Sequence, residues 1–158
     1  METLKLYYAD AFLREFDGRV LACRPDGKKW LVALDQTAFY PEGGGQPADH
    51  GTLGAAKVTD VQEKDGVILH TCDKPLTEGE SVHGCIDWQR RFDHMQQHSG
   101  EHILSGILCR DYHCDNVGFH MGADWVTIDF SGVLTPEELR AVEQEANAAI
   151  WRDIPAEI

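Results

Sequence analysis

No stretch of this chain approaches the roughly 18 uninterrupted apolar residues that a membrane-spanning helix requires. The opening METLKLYYADAFLREF also lacks the basic-then-apolar plan of a secretory leader. The expectation is a cytoplasmic protein with no membrane partner. A CxxC pair is missing too. The five cysteines (Cys23, Cys72, Cys85, Cys109 and Cys114) are odd in number and scattered, which argues against a disulfide framework and against a self-contained zinc ribbon. Basic charge is scarce: 14 Lys and Arg stand against 27 Asp and Glu, for a net charge of -13. Proteins that grip nucleic acid by its phosphates normally carry a basic excess. The balance argues against DNA binding and against tight RNA binding over a broad surface. It leaves only local patches, such as Lys28-Lys29 and Arg90-Arg91, for a contact near one nucleotide end.

What is present is a globular composition, 42% hydrophobic and 26% charged over 158 residues, enough for one domain or two small ones. Residues 1 to 88 read as β structure. GRVLACRPDGKKWLVALD is strand, turn and strand about Pro25-Asp26-Gly27, and AKVTDVQEKDGVILHTCD repeats the scheme about Lys64-Asp65-Gly66. Short strands with turn signals this close suggest a small β-barrel. Near Asp87 the period changes, and Ile103, Leu104, Ile107 and Leu108 recur at helical spacing. GFHMGADWVTIDFSG then reads as two strands around Gly122-Ala123-Asp124. TPEELRAVEQEANAAIWRD reads as a helix with Thr135 as N-cap, Pro136 in the first turn and Glu137-Glu138 at its positive end. The expected class is α+β, a barrel domain over 1–88 followed by an α/β domain over 89–158. Pro155 followed by Ile158 suggests entry into a further strand, and two helices with few strands leave apolar surface uncovered, so more chain is expected to follow.

Two stretches carry chemistry. In DHMQQHSGEHILSG, His94, His98 and His102 stand four apart, so they drift by only about 40° per step around a helix and form one stripe. The apolar positions centre on the opposite direction, which disfavours a buried core role for the histidines. Two readings stay open, an exposed or interface stripe and a metal site. Imidazoles at i and i+4 can converge on one ion from a single helix. His98 is followed by Ser99-Gly100-Glu101, so the metalloprotease pattern HExxH is absent. Asp93, His94, His113, Cys114 and His120 are local candidates for further ligands, none at persuasive spacing. The second stretch, AFYPEGGGQPADHG, sets Gly43, Gly44 and Gly45 before Gln46. A phosphate loop would continue into Lys-Ser/Thr and a helix, and this one does not. A tight barrel corner and a close approach to a ligand both fit, and the Gln46 amide can donate and accept toward a small polar substrate.

FYPEGGGQPADHG followed by RRFDHMQQHSGEHILS, and then by DNVGFHMG, VTIDFSG and TPEELRAVEQEANAAI, resembles the editing domain of alanyl-tRNA synthetase. It resembles the free-standing alanyl-tRNA editing proteins of the AlaX type more closely still. The likeness covers nearly the whole chain. It implies a translation-protein-like barrel followed by an editing domain like the second additional domain of threonyl- and alanyl-tRNA synthetases, here incomplete at its C-terminal end. It implies hydrolysis of mischarged tRNA(Ala), chiefly Ser-tRNA(Ala) and also Gly-tRNA(Ala), with zinc as cofactor. His98 and His102 match the family's metal pair. Gly43, Gly44, Gly45 and Gln46 match its GGGQ element near the pocket, and Ser99 is a further candidate for reading a substrate hydroxyl. An alanine site cannot strongly reject glycine or serine by size, so a second sieve is needed. Asp93 and His94 are weak candidates for a general base. The family completes its zinc site with a CxxxH element downstream of the second helix, and the chain stops before such an element. The fragment is therefore expected to bind zinc weakly, or to recruit a stand-in such as Asp49 or His120. Two rival readings remain: a non-catalytic tRNA-recognition appendage, and a metal-dependent hydrolase of a small ester.

Overall fold

The computed structural model describes residues 2–122 and 124–155. The content is mixed α and β, and the chain divides into two compact units, Met1–Asp93 and His94–Ile158. Among the described residues, no helix is long and apolar enough to cross a membrane. All five cysteines are free thiols.

In the first unit, β1 (Leu4–Lys5) pairs in parallel with β4 (Gln36–Thr37). Six further strands are β2 (Glu15–Asp26), β3 (Lys29–Leu34), β5 (Gly51–Leu53), β6 (Ala56–Lys64), β7 (Val67–Cys72) and β8 (Ser81–Ile86). They close into a barrel in the order β2-β3-β7-β6-β5-β8, and every pairing is antiparallel. Strand alternation produces the core. Phe16, Gly18 and Val20 point inward from β2 while Glu15, Asp17 and Arg19 point out. Inward residues of β7 are Ile68, His70 and Cys72. At the β6–β7 turn, Asp65 and Gly66 both take positive φ, 51° and 78°, the conformation that a two-residue hairpin loop demands. Gly84 of β8 makes room for an aromatic ring, because a Cβ there would lie 2.3 Å from Phe16 Cε1.

His70 is fully buried inside this barrel. Its Nδ1–H donates to Val32 O (3.0 Å), and the Thr37 hydroxyl lies 2.9 Å from Nε2. The Thr37 Oγ1 in turn accepts the Phe39 N–H at 3.1 Å. A neutral imidazole satisfies every partner in this chain. Burial pushes the His70 pKa down to about 4.

The long helix α1 (Trp88–Tyr112) starts where Asp87 accepts the Arg90 N–H through its carboxylate, at 3.2 Å. Arg91, one residue on, is 3% exposed and meets Asp49, which is 1% exposed. Its Nε donates to both Asp49 oxygens at 2.9 Å, and Nη2 also bonds Asp49 Oδ2. The remaining guanidinium donors reach Ala38 O (2.6 Å) and Ala11 O (3.2 Å). Asp49 accepts the Tyr40 N–H as well, at 2.7 Å. One arginine thus joins the helix start to three separate backbone segments of the barrel unit.

In the second unit, β9 (Asn116–Met121) and β10 (Val126–Phe130) form an antiparallel pair. Helix α2 (Pro136–Trp151) carries the capping box that its sequence announces: Thr135 Oγ1 accepts from Glu138 N, and the Glu138 carboxylate accepts from Thr135 N. Ile107, Leu108, Cys114, Val142 and Ala146 form the core, with Ile103 and Leu104 packed at its margin. Trp125, Val133 and Trp151 remain exposed. The turn expected at Gly122-Ala123-Asp124 and the strand entry expected over 155–158 include residues outside the described ones.

Two stability measurements follow from the barrel unit. Arg91→Ala should cost about 3–5 kcal/mol in chemical denaturation, because Asp49 is left buried without its cation. The double replacement of Arg91 and Asp49 by apolar residues should cost less than that single change. Because unfolded His70 binds a proton near pH 6.5 and folded His70 only near 4, stability should fall as pH drops through that window. The loss is at most about 3 kcal/mol, and His70→Gln should flatten it.

Candidate metal centre

The contacts of the three histidines on α1 are not alike, although their spacing is. The His98 and His102 rings stack with centroids 5.0 Å apart and planes 16° from parallel. His98 also packs on the Phe119 ring of β9, at 5.4 Å. Among the described residues, one group of three ligand-capable side chains has its donor atoms within 4.8 Å of one another, namely His98, Glu101 and His102. His94 lies outside that group.

Burial and then the neighbouring His102 hold the His98 pKa below its usual range. The ring is therefore neutral at physiological pH, with a lone pair to offer. The His102 side chain is 73% exposed, whereas that of Glu101 is 5% exposed. Two imidazoles with a carboxylate alongside are a donor set suited to a divalent d-block ion such as zinc. The residues fit the metal that the resemblance implies, with His98 and His102 as the nitrogen donors.

Glu101 entered the sequence reading only as the residue that breaks an HExxH pattern. Its Oε1 accepts from the Ser105 hydroxyl and from Asn116 Nδ2 at 2.6 Å, and its Oε2 lies 3.3 Å from His102 Nδ1. The signal available in the sequence was an acidic residue three after one histidine and one before the next, with Ser105 one turn further on.

Ser99 is exposed on α1, as is Asp93. Asp49 is not a stand-in ligand, because both of its oxygens are engaged by Arg91 and Tyr40. His120 is exposed on β9 and Cys114 is buried in the hydrophobic cluster. A Cys-x3-His spacing does occur in the chain, at Cys109 and His113. It sits at the end of α1, not beyond the second helix. At about 1.5 Å per residue, Cys109 is roughly 10 Å along the helix from His102, too far to share an ion with it. His113 has already left the helix at φ 54°.

The glycine loop belongs to the barrel unit. Gly43 and Gln46 exchange backbone hydrogen bonds of 3.1 and 3.0 Å around Gly44 and Gly45, whose φ values are 60° and 81°. That is a two-residue turn open only to residues tolerant of positive φ. Gly44 and Gly45 are exposed at its tip, and Gln46 is 5% exposed.

Residues 12–90, half of the chain, match the family model described as tRNA synthetases class II (A). The chain belongs to that family. Within it, the chain is similar to relatives of two kinds. An alanine–tRNA ligase of Thermococcus kodakarensis is 47% identical over an alignment covering 96% of this chain and 17% of the ligase. The alanyl-tRNA editing protein AlaX-L of Pyrococcus horikoshii is 37% identical over 98% of this chain and 40% of that protein. The alanyl-tRNA editing protein Aarsd1 of Danio rerio is 34% identical over 94% of this chain and 39% of its own length. The chain thus spans less than half the length of each of these relatives.

Proposed function

We propose that this chain is part of a cytoplasmic hydrolase that clears mischarged tRNA(Ala), releasing serine from Ser-tRNA(Ala) and glycine from Gly-tRNA(Ala). The observation that carries the reading is the stacked His98–His102 pair, in a chain that aligns almost throughout with named alanyl-tRNA editing proteins. In this reading residues 1–88 are a translation-type barrel bearing the glycine loop. Residues 89–158 belong to an editing domain.

The reaction is attack of water on the aminoacyl ester. The ester carbon–oxygen bond breaks, leaving free amino acid and a tRNA 3′ hydroxyl. His98 and His102 would hold the zinc, which when bound would supply Lewis acidity toward a water or a carbonyl oxygen. The remaining work is done by the chain's own groups. In the barrel unit Gly43, Gly44 and Gly45 present backbone without side-chain obstruction beside the Gln46 amide, and in the second unit the exposed Ser99 hydroxyl offers a hydrogen bond to a substrate hydroxyl that alanine lacks. The net charge of -13 confines RNA contact to local basic patches near the acceptor end.

A non-catalytic tRNA-recognition module is the second reading. It is favoured by the similarity to ligases in which this stretch is 17% of the length. Deacylation separates the two. Ser-tRNA(Ala) and Ala-tRNA(Ala) are offered to this chain and to a form extended through a downstream Cys-x3-His, with zinc present. Editing predicts faster release of serine than of alanine, and a drop of at least about a hundredfold on His98→Ala, the size expected when a reaction loses metal-based stabilisation of its transition state. Release unaffected by that substitution removes the metal reading. Absence of release from both forms, with tRNA binding retained, selects the recognition module.

A further inference from the structure

We propose that Glu101 is the positioning residue of the histidine pair, fixing His102 with its proton on Nδ1 so that Nε2 faces outward as the metal-binding nitrogen. The inference rests on the reading of His98 and His102 as ligands and deepens it.

Glu101 is the odd member of the group. Its side chain is 5% exposed beside a histidine that is 73% exposed. Its Oε1 is already engaged by two donors, Ser105 Oγ one helical turn on and Asn116 Nδ2 from β9. Asn116 is itself fixed: its Oδ1 accepts the Gly118 N–H at 2.9 Å, and its Nδ2 also reaches Ser105 Oγ at 3.2 Å. The carboxylate is therefore held from two elements, and the oxygen left over, Oε2, lies 3.3 Å from His102 Nδ1.

An anionic oxygen opposite Nδ1 favours a proton there, because an unprotonated Nδ1 would set two lone pairs against each other. The lone pair of the neutral ring then resides on Nε2. A carboxylate behind a metal-binding imidazole both orients the ring and raises its basicity. A purely structural role would need only the bonds to Ser105 and Asn116, and these account for Oε1 but not for the placement of Oε2.

The test uses this chain with ¹⁵N-labelled histidine and two readouts. In metal-free protein, NMR of the ring nitrogens reports the His102 tautomer. In parallel, Zn²⁺ and Co²⁺ are titrated against a chromophoric chelator. Wild-type protein should show the Nδ1–H form. Glu101→Gln keeps an oxygen for Ser105 and Asn116 but no anion for Nδ1, and should shift His102 toward the Nε2–H form and weaken metal binding by about 10–100-fold. Ser105→Ala, which loosens the carboxylate without touching the histidine, should move both readouts in the same direction by less. An unchanged tautomer in both variants overturns the proposal. Loss of affinity without a change of tautomer also overturns it, because that is the signature of Glu101 acting as a ligand. Should wild-type protein bind neither ion, the ligand reading fails, while the tautomer still decides whether Glu101 positions the ring.

Discussion

The barrel unit depends on one buried ion pair. Burying a carboxylate and a guanidinium is costly unless every donor and acceptor is satisfied. Asp49 and Arg91 meet that condition by recruiting backbone, with Tyr40 N–H on the carboxylate and Ala38 and Ala11 carbonyls on the guanidinium. The pair therefore acts less as a source of stability than as a demand on geometry. Segments around residues 11, 38–40 and 49 have to arrive together at the first turn of α1. A lysine in place of Arg91 would lack the planar fork that serves three such acceptors at once.

A second buried carboxylate organises the other unit by the same logic. Glu101 is satisfied by neutral donors from α1 and β9, and its remaining oxygen is directed at an exposed imidazole. Asp49 closes on a permanent cation, whereas Glu101 adjoins a group that can hold or release a proton and can bind a metal. That difference in partner separates a structural clamp from the support of the proposed metal pair. The dry, aromatic side of the pair, where His98 packs on Phe119, keeps one imidazole neutral while the other stays open to solvent.

Features that depend on residues close in sequence were legible without the structure. The Asp65-Gly66 turn, the change to helical period near residue 88 and the capping box of α2 are each written within a few adjacent positions. The His98–His102 pair is legible for the same reason, since helical geometry alone brings i and i+4 together. What escaped was whatever joins distant positions. Asp49 and Arg91 lie 42 residues apart, and nothing in either neighbourhood marks an aspartate as buried. His70 reads as one more residue of a β-branched strand, and its burial follows from the closing of the barrel. Glu101 and Asn116 belong to different elements, so their contact has no periodic signature. The Cys109–His113 spacing illustrates the opposite hazard, a motif-like pattern that the end of the helix pulls apart.

The proposed function requires two histidine nitrogens, from His98 and His102, to hold the metal. X-ray absorption at the zinc edge of the zinc-loaded chain measures this directly. The predicted first shell contains two imidazole nitrogens at about 2.0–2.1 Å, with light N/O scatterers completing it, and His98→Ala removes one imidazole from that shell. A first shell dominated by sulfur at about 2.3 Å, or an imidazole count unaffected by replacing His98, would contradict it.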